Sequence, residues 1–214
     1  MTIKYINKSL YYIFNIIASI AVKDEWINLK SLLVSEATRY SSLPKPHPNI
    51  LQFLIIGEDR RHGIHPGFDI IGITRAIWRK VSLSKIEGAS TIAQQLVRTL
   101  TNRRDHTFQR KTKEILLAVL ATNHFGALQL AHIYLQIAYY GTDMNGLSAA
   151  ARNLNLNYSQ ASIFEAAALI ARIKYPQPKN HSLKREIQIK NRAQYLLKLN
   201  DNPNWVKINK HLIK

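Results

Sequence analysis

Two carboxylates and a group of cations between Glu58 and Glu114 could perform chemistry. The stretch opens with EDRRHGIHPGFD (residues 58–69), continues through EGASTIAQQLVR (residues 87–98) and closes on RKTKE (residues 110–114). A carboxylate can act as a general base, and cations can stabilise negative charge that grows on a leaving group. Because Glu58 and Glu114 are far apart in the sequence, they can converge only through tertiary structure.

Each charged candidate also has a simpler structural interpretation. Glu58 falls where an apolar helix is predicted to end, and it could bond Arg61 there. Glu114 could pair with Arg110 at i, i+4 on one helix face. The basic residues could form a solvated face or hold a phosphate through charge-assisted hydrogen bonds. They are Arg98, Arg110, Lys111 and Lys113.

The hydroxyl and imidazole side chains of this stretch match no familiar catalytic or metal pattern. Ser90 and Thr91 could supply a nucleophile, but no Ser-His-Asp arrangement is readable. Ser90 is predicted instead to cap a helix, whose first N–H groups could hold a phosphate. His62 and His65 lack the HExxH pattern and a nearby acidic third ligand, so we predict no metal site.

The composition of the chain limits its chemistry and its partners. The 214 residues include no cysteine, which excludes disulfides, thiolate metal sites and a cysteine nucleophile. The formal net charge is +17, from 30 Lys and Arg against 13 Asp and Glu. This charge indicates a polyanionic partner: nucleic acid, an anionic membrane or a phosphate-bearing substrate. No nucleic-acid-reading motif is recognisable, so nucleic acid is not a predicted partner.

An apolar run near the N-terminus predicts contact with a membrane. Residues 10–22 form a run of 13 residues with lysines on both sides, whereas a straight span needs about 20. The run could be a signal-peptide core, a short anchor or an interfacial helix. We favour a membrane-associated helix that stays on the protein over an ordinary buried helix. The Pro-rich residues 40–49 predict a linker, so we divide the chain into a membrane-associated segment with linker, 1–47, and one domain, 48–214.

Helical periodicity dominates the rest of the chain, and we predict no strand. The fold class is therefore all-α. Predicted helices cover residues 48–58, 68–81, 90–100, a long helix capped by Thr107, and then 128–140, 147–154, 159–173 and 183–199.

Taken together, these segments resemble glycosyltransferase family 51, over roughly residues 48–195. The family comprises the peptidoglycan glycosyltransferases of class A penicillin-binding proteins and the monofunctional transglycosylases. Residues 58–76, 88–98 and 110–114 are similar to its first three motifs, residues 132–141 to the fourth and residues 165–178 to the fifth. The chain departs from the usual motif residues at His62, Gly63, Arg98, Gln136 and Arg172.

The resemblance implies a lysozyme-like helical fold with a membrane-embedded lower part. It implies polymerisation of lipid II into glycan strands with release of undecaprenyl pyrophosphate. Glu58 would be the general base on the acceptor 4-hydroxyl, and Glu114 would assist departure of the pyrophosphate. The residues that match cleft positions, and would bind substrate, are Asp59, His65, Ser90, Thr91, Gln95, Arg98, Arg110 and Lys111.

The resemblance also implies partners and a location. The partners would be lipid II, the growing glycan strand, membrane lipid and other cell-wall synthesis proteins. No cofactor would be required, and a role for a divalent cation, Mg²⁺ or Mn²⁺, stays open. The protein would lie at the bacterial inner membrane with its catalytic domain on the outer, periplasmic side. The end of the chain after this domain predicts a member without a transpeptidase domain.

Three other functions remain as alternatives. One is a nucleic-acid-binding protein, which rests on the charge alone and lacks a recognisable reading motif. A non-catalytic family member could bind cell-wall precursors or a wall-synthesis partner, which the altered fifth motif would favour. A lysozyme-type hydrolase could use the same two carboxylates to cleave glycan. The cations suited to a pyrophosphate would then have no role.

Overall fold

The computed structural model describes residues 12–13, 15–84, 88–103, 105 and 107–202. It confirms the all-α fold class, because the described residues form helices and two isolated bridge contacts but no strand. The helices are α1 (Lys23–Ser41), α2 (Pro48–Glu58), α3 (Ile70–Leu83), α4 (Ile92–Thr101), α5 (Phe108–Phe125), α6 (Ala127–Ile137), α7 (Leu147–Asn153), α8 (Ile163–Lys174) and α9 (Leu183–Asn200).

The chain forms two compact units, each built from two stretches of sequence. The first contains the described residues of Met1–Ala37 and Gly63–Leu130, and the second those of Thr38–His62 and Ala131–Lys214. The division predicted between residues 47 and 48 stays a prediction. The predicted linker is shorter than expected, since α1 runs to Ser41 and α2 starts at Pro48.

In the first unit, the buried faces of α4 and α5 pack together. Ile92, Leu96 and Val97 of α4 are buried, as is α5 from Leu116 to Ala121. Helix α1 adds Leu29 and Leu33, which are 1% and 0% exposed. Residues from the segment predicted to be anchor and linker therefore belong to this core.

Helix caps explain where several helices begin. Thr107 caps α5 as predicted, and its Oγ1 accepts a hydrogen bond from Arg110 N at 3.2 Å. The prediction that Ser90 caps α4 is wrong. Thr91 is the N-cap residue of α4 and forms a capping box with Gln94. Helix α8 starts at Ile163 rather than at residue 159, since Ser162 forms the same kind of box with Glu165.

Helix α3 exposes an apolar face. Among the residues of α3, all of which the structure describes, Gly72 alone is buried. The exposed apolar side chains are Ile70, Ile71, Ile77, Trp78, Val81 and Leu83. An exposed apolar face on a folded unit indicates a surface that binds an apolar partner.

No single helix among the described residues is both long and apolar enough to cross a membrane. Helices α5 and α6 meet that criterion of length and composition as a pair, but the pair is bent by 113°. Of the apolar run predicted at residues 10–22, positions 10, 11 and 14 lie outside the described residues, and 15–21 are helical.

In the second unit, α2, α8 and α9 pack on one another. Helix α2 buries six apolar side chains, which makes it the centre of this unit. Alanines 166, 167 and 171 line α8, so a neighbouring helix can approach closely. Ile189 and Leu196 are the buried residues of α9, and this helix ends the described part of the fold.

Candidate active site

Glu114 is a buried carboxylate with a cation on each oxygen. Its side chain, on α5 in the first unit, is 3% exposed. Arg110 Nη1 donates to Oε2 at 2.6 Å, and Lys111 Nζ donates to Oε1 at 2.5 Å. The predicted i, i+4 pair with Arg110 is confirmed, and Lys111 adds an i, i+3 partner. Two charge-assisted hydrogen bonds offset the cost of burying the carboxylate and fix its orientation.

Lys111 links Glu114 to the start of α4. Its Nζ also donates to Ser90 Oγ at 3.1 Å. The loop before α5 holds the other cation, because Arg110 Nε donates to the backbone oxygen of Asp105. The Asp105 carboxylate accepts from the Thr107 hydroxyl at 2.7 Å, which lowers the pKa of Asp105. Two of the predicted site residues, Arg110 and Lys111, thus bind Glu114, and a third, Ser90, binds Lys111.

Thr91 fastens the loop that contains His65. Its Oγ1 donates to the backbone oxygen of Gly67 at 2.6 Å and also caps α4. Gly67 has a φ of +110°, and a Cβ there would lie 2.5 Å from the backbone oxygen of Ala118, so glycine is required. His65 Nδ1 accepts from Gly67 N at 3.3 Å. Thr91 therefore holds the loop of His65 against the start of α4. Its contact with substrate stays a prediction.

A cavity of about 250 Å³ opens beside Glu114 in the first unit. Its charged lining consists of Glu25, Arg98, Arg103, Arg110, Lys113 and Glu114. Its apolar lining includes Leu29, Leu32, Val97, Leu100 and Leu117. Arg98 is exposed at this cavity, while Gln95, on the same helix, is buried. The cavity therefore combines an excess of positive charge with an apolar wall.

Helix α1 supplies one wall of this cavity, which sequence reasoning missed. Glu25 Oε1 accepts from Lys113 Nζ at 2.5 Å, and this hydrogen bond lowers the pKa of Glu25. Trp26 meets the ring of His124 edge-on, with 5.9 Å between the ring centroids. The four-residue spacing of Leu29 and Leu33 was the available signal, since it places both side chains on one helix face.

Glu58 is the last residue of α2 and lies in the second unit. Its side chain is 14% exposed, and its Oε1 lies 3.5 Å from Arg192 Nη2. Sequence reasoning named Arg61 as the partner of Glu58 and missed Arg192. Only a tertiary contact brings α9 to this position, so local spacing could not reveal it.

Asp59 follows Glu58 and forms a buried pair with His62. Asp59 Oδ2 lies 3.1 Å from His62 Nδ1, and the two side chains are 4% and 2% exposed. The prediction that no acidic ligand lies near His62 is therefore wrong, while the absence of a metal site stays a prediction. The backbone turns sharply after α2, which places the two side chains on the same side.

Comparison with known proteins shows the family to which the chain belongs. The family model for the transglycosylase domain matches residues 28–200. Penicillin-binding protein 1A of Rickettsia prowazekii is 30% identical over 154 residues, which are 70% of this chain and 19% of that protein. A monofunctional glycosyltransferase of Staphylococcus epidermidis RP62A is 32% identical over 138 residues, 60% of this chain and 51% of that protein. Penicillin-binding protein 1F of Bacillus subtilis 168 is 32% identical over 143 residues, 66% and 20% respectively.

The described residues form an all-α fold in which one buried glutamate holds a cation on each oxygen. The match over most of the chain makes the assignment specific: the chain belongs to the transglycosylase family. This confirms the family indicated by the motifs. The chain spans about a fifth of the penicillin-binding proteins and about half of the monofunctional glycosyltransferase that it matches.

Proposed function

We propose that the protein is a peptidoglycan glycosyltransferase that polymerises lipid II into glycan strands and releases undecaprenyl pyrophosphate. The observation that carries the proposal is the Glu114 cluster, in which Arg110 and Lys111 bind the two oxygens of one buried carboxylate. Membership of the transglycosylase family supports the reaction class.

The cavity beside Glu114 fits the leaving group of this reaction. A pyrophosphate gains negative charge as the bond to the sugar breaks, and fixed cations stabilise that charge. Arg98, Arg103 and Arg110 supply cations at the cavity, and Leu29 and Leu32 supply an apolar wall for the first part of a lipid chain. Glu114 holds Arg110 and Lys111 in place, so these donors need no reorganisation during the reaction.

Glu58 takes the role of general base in this proposal. Its carboxylate would accept the proton of the acceptor 4-hydroxyl, whose oxygen then attacks the donor anomeric carbon with inversion. Arg192 lies beside this carboxylate, with its Nη2 3.5 Å from Glu58 Oε1. Asp59, His65, Ser90, Thr91 and Gln95 remain proposed substrate-binding residues.

Incubation of the full-length protein with labelled lipid II tests the proposal directly. We expect glycan polymer in the presence of detergent or vesicles. Parallel reactions with Mg²⁺, with Mn²⁺ and with a chelator decide whether a divalent cation contributes. Tight binding of lipid II without polymer under all three conditions would contradict the enzyme and favour the non-catalytic alternative.

We further propose that the protein works at the bacterial inner membrane, on its outer side, together with other cell-wall synthesis proteins. The apolar side chains exposed on α3 support membrane contact, and so do Tyr12, Ile13, Ile16, Ile17 and Ile20. Arg75, Arg79 and Lys80 accompany the apolar residues of α3 and suit anionic headgroups.

Removal of residues 1–23 should release much of the protein from membranes. The face of α3 remains in the shortened protein, so we expect partial rather than complete release. Fractionation at physiological salt, followed by immunoblotting of the pellet and supernatant, measures the distribution. Full-length protein found wholly in the supernatant would contradict membrane association.

A further inference from the structure

We propose that Arg192 of α9 is a positioning residue for Glu58. The inference rests on the proposed function, in which Glu58 is the general base. In the sequence, Arg192 is distant from the motif residues of the first unit. Its side chain is 11% exposed. It acts on Glu58 through contacts within the second unit.

The guanidinium of Arg192 holds the end of α2 at two points. Its Nη2 donates to the backbone oxygen of Gly57 at 2.7 Å and lies 3.5 Å from Glu58 Oε1. The last carbonyl groups of a helix have no intrahelical partner, and the helix dipole favours a cation there. One guanidinium therefore satisfies a backbone acceptor and fixes the direction of the adjacent carboxylate.

Tyr195 holds Arg192 in this position. The Cζ atom of Arg192 lies 5.4 Å from the centroid of the Tyr195 ring, one turn along α9. Arg60 approaches the same ring at 6.0 Å and donates from Nη2 to the Tyr195 hydroxyl at 2.7 Å. Tyr195 thus connects Arg192, which contacts Glu58, with a residue of the turn that follows Glu58.

Gly57 allows α9 to lie this close to α2. A Cβ at position 57 would lie 3.1 Å from Leu196 Cδ2 and 3.3 Å from Arg192 Nη2. A side chain at position 57 would require the Leu196 and Arg192 side chains to shift by a few tenths of an ångström, which would disturb the Arg192 contact. The glycine, the arginine and the tyrosine therefore form one arrangement that sets the position of Glu58.

The expected effect of this arrangement is on turnover. A general base must lie within hydrogen-bond reach of the proton that it accepts, and a misplacement of about 1 Å can cost about a hundredfold in rate. Loss of Arg192 should therefore lower kcat by roughly tenfold to a hundredfold, while KM changes little because the substrate contacts stay in place.

The experiment compares Arg192→Ala, Arg192→Lys and the control Lys190→Ala in the full-length protein. Lys190 is exposed on the same helix, so its removal matches the loss of charge without touching Glu58. Steady-state turnover of lipid II gives kcat and KM. The ¹³C resonance of the Glu58 carboxyl, identified by its loss in Glu58→Gln, reports the surroundings of Glu58 without any need for activity.

We expect Arg192→Ala to lower kcat and to shift the Glu58 resonance, Arg192→Lys to recover part of both, and Lys190→Ala to change neither. A folded Arg192→Ala protein with unchanged kcat, with a loss confined to KM, or with an unshifted Glu58 resonance would overturn the inference. An inactive wild type whose Glu58 resonance still shifts on loss of Arg192 would instead overturn the proposed function and leave the contact established.

Discussion

Glu58→Gln should reduce glycan synthesis by about a hundredfold or more while leaving the fold intact. Glutamine keeps the shape of glutamate but cannot accept the proton of the acceptor hydroxyl. The fold should survive because Arg192 keeps its bond to the backbone oxygen of Gly57, and α2 keeps its six buried apolar side chains. Polymerisation of labelled lipid II measures the loss, and circular dichroism checks the helices.

The control for this substitution is Glu186→Gln. Glu186 is exposed on α9 in the same unit, where it meets His181, so it tests the general effect of removing one carboxylate. It should retain the activity of the wild type. Near-normal synthesis by a folded Glu58→Gln protein would exclude Glu58 as the general base.

Arg110→Ala and Lys111→Ala should each remove roughly 2–4 kcal/mol of transition-state stabilisation, by analogy with the loss of one oxyanion donor. That corresponds to a loss of about thirtyfold to a thousandfold in turnover. Each substitution also takes a partner from Glu114, whose side chain is 3% exposed, so part of the loss reflects displacement of this carboxylate. Thermal unfolding of both variants separates that structural effect from the catalytic one.

The same variants distinguish a transferase from a hydrolase. A hydrolase acting on finished glycan has a sugar leaving group and needs a proton donor rather than a cradle for pyrophosphate. The wild type should therefore release no muropeptides from purified peptidoglycan. Release of muropeptides by the wild type, undiminished in Arg110→Ala and Lys111→Ala, would refute the transferase and favour the lysozyme-type alternative.

The features that were predictable from the sequence are those set by local spacing. The i, i+4 pair of Arg110 and Glu114 and the cap at Thr107 follow from helix geometry, and the structure contains both. The choice between Ser90 and Thr91 as the cap was wrong because both are good caps. The capping box with Gln94, together with the bond to Gly67, decides for Thr91.

The features that were missed depend on contacts between residues distant in sequence. Arg192 reaches Glu58 across more than a hundred intervening residues, since the two are 134 positions apart. Glu25 reaches Lys113 in the same way, with a separation of 88 positions. Periodicity shows which face of a helix is apolar, but it does not show which helix lies against that face.

The packing of α1 determines where this protein can be shortened for crystallisation or ligand screening. A fragment that begins at Pro48 looks natural from the Pro-rich stretch, yet it discards Leu29 and Leu33, which are buried in the first unit. It would leave Lys113 without Glu25 and open one side of the cavity to solvent. A fragment made for solubility should therefore keep all of α1. If it also keeps residues 13–20, the exposed isoleucines of that stretch can be replaced by polar side chains.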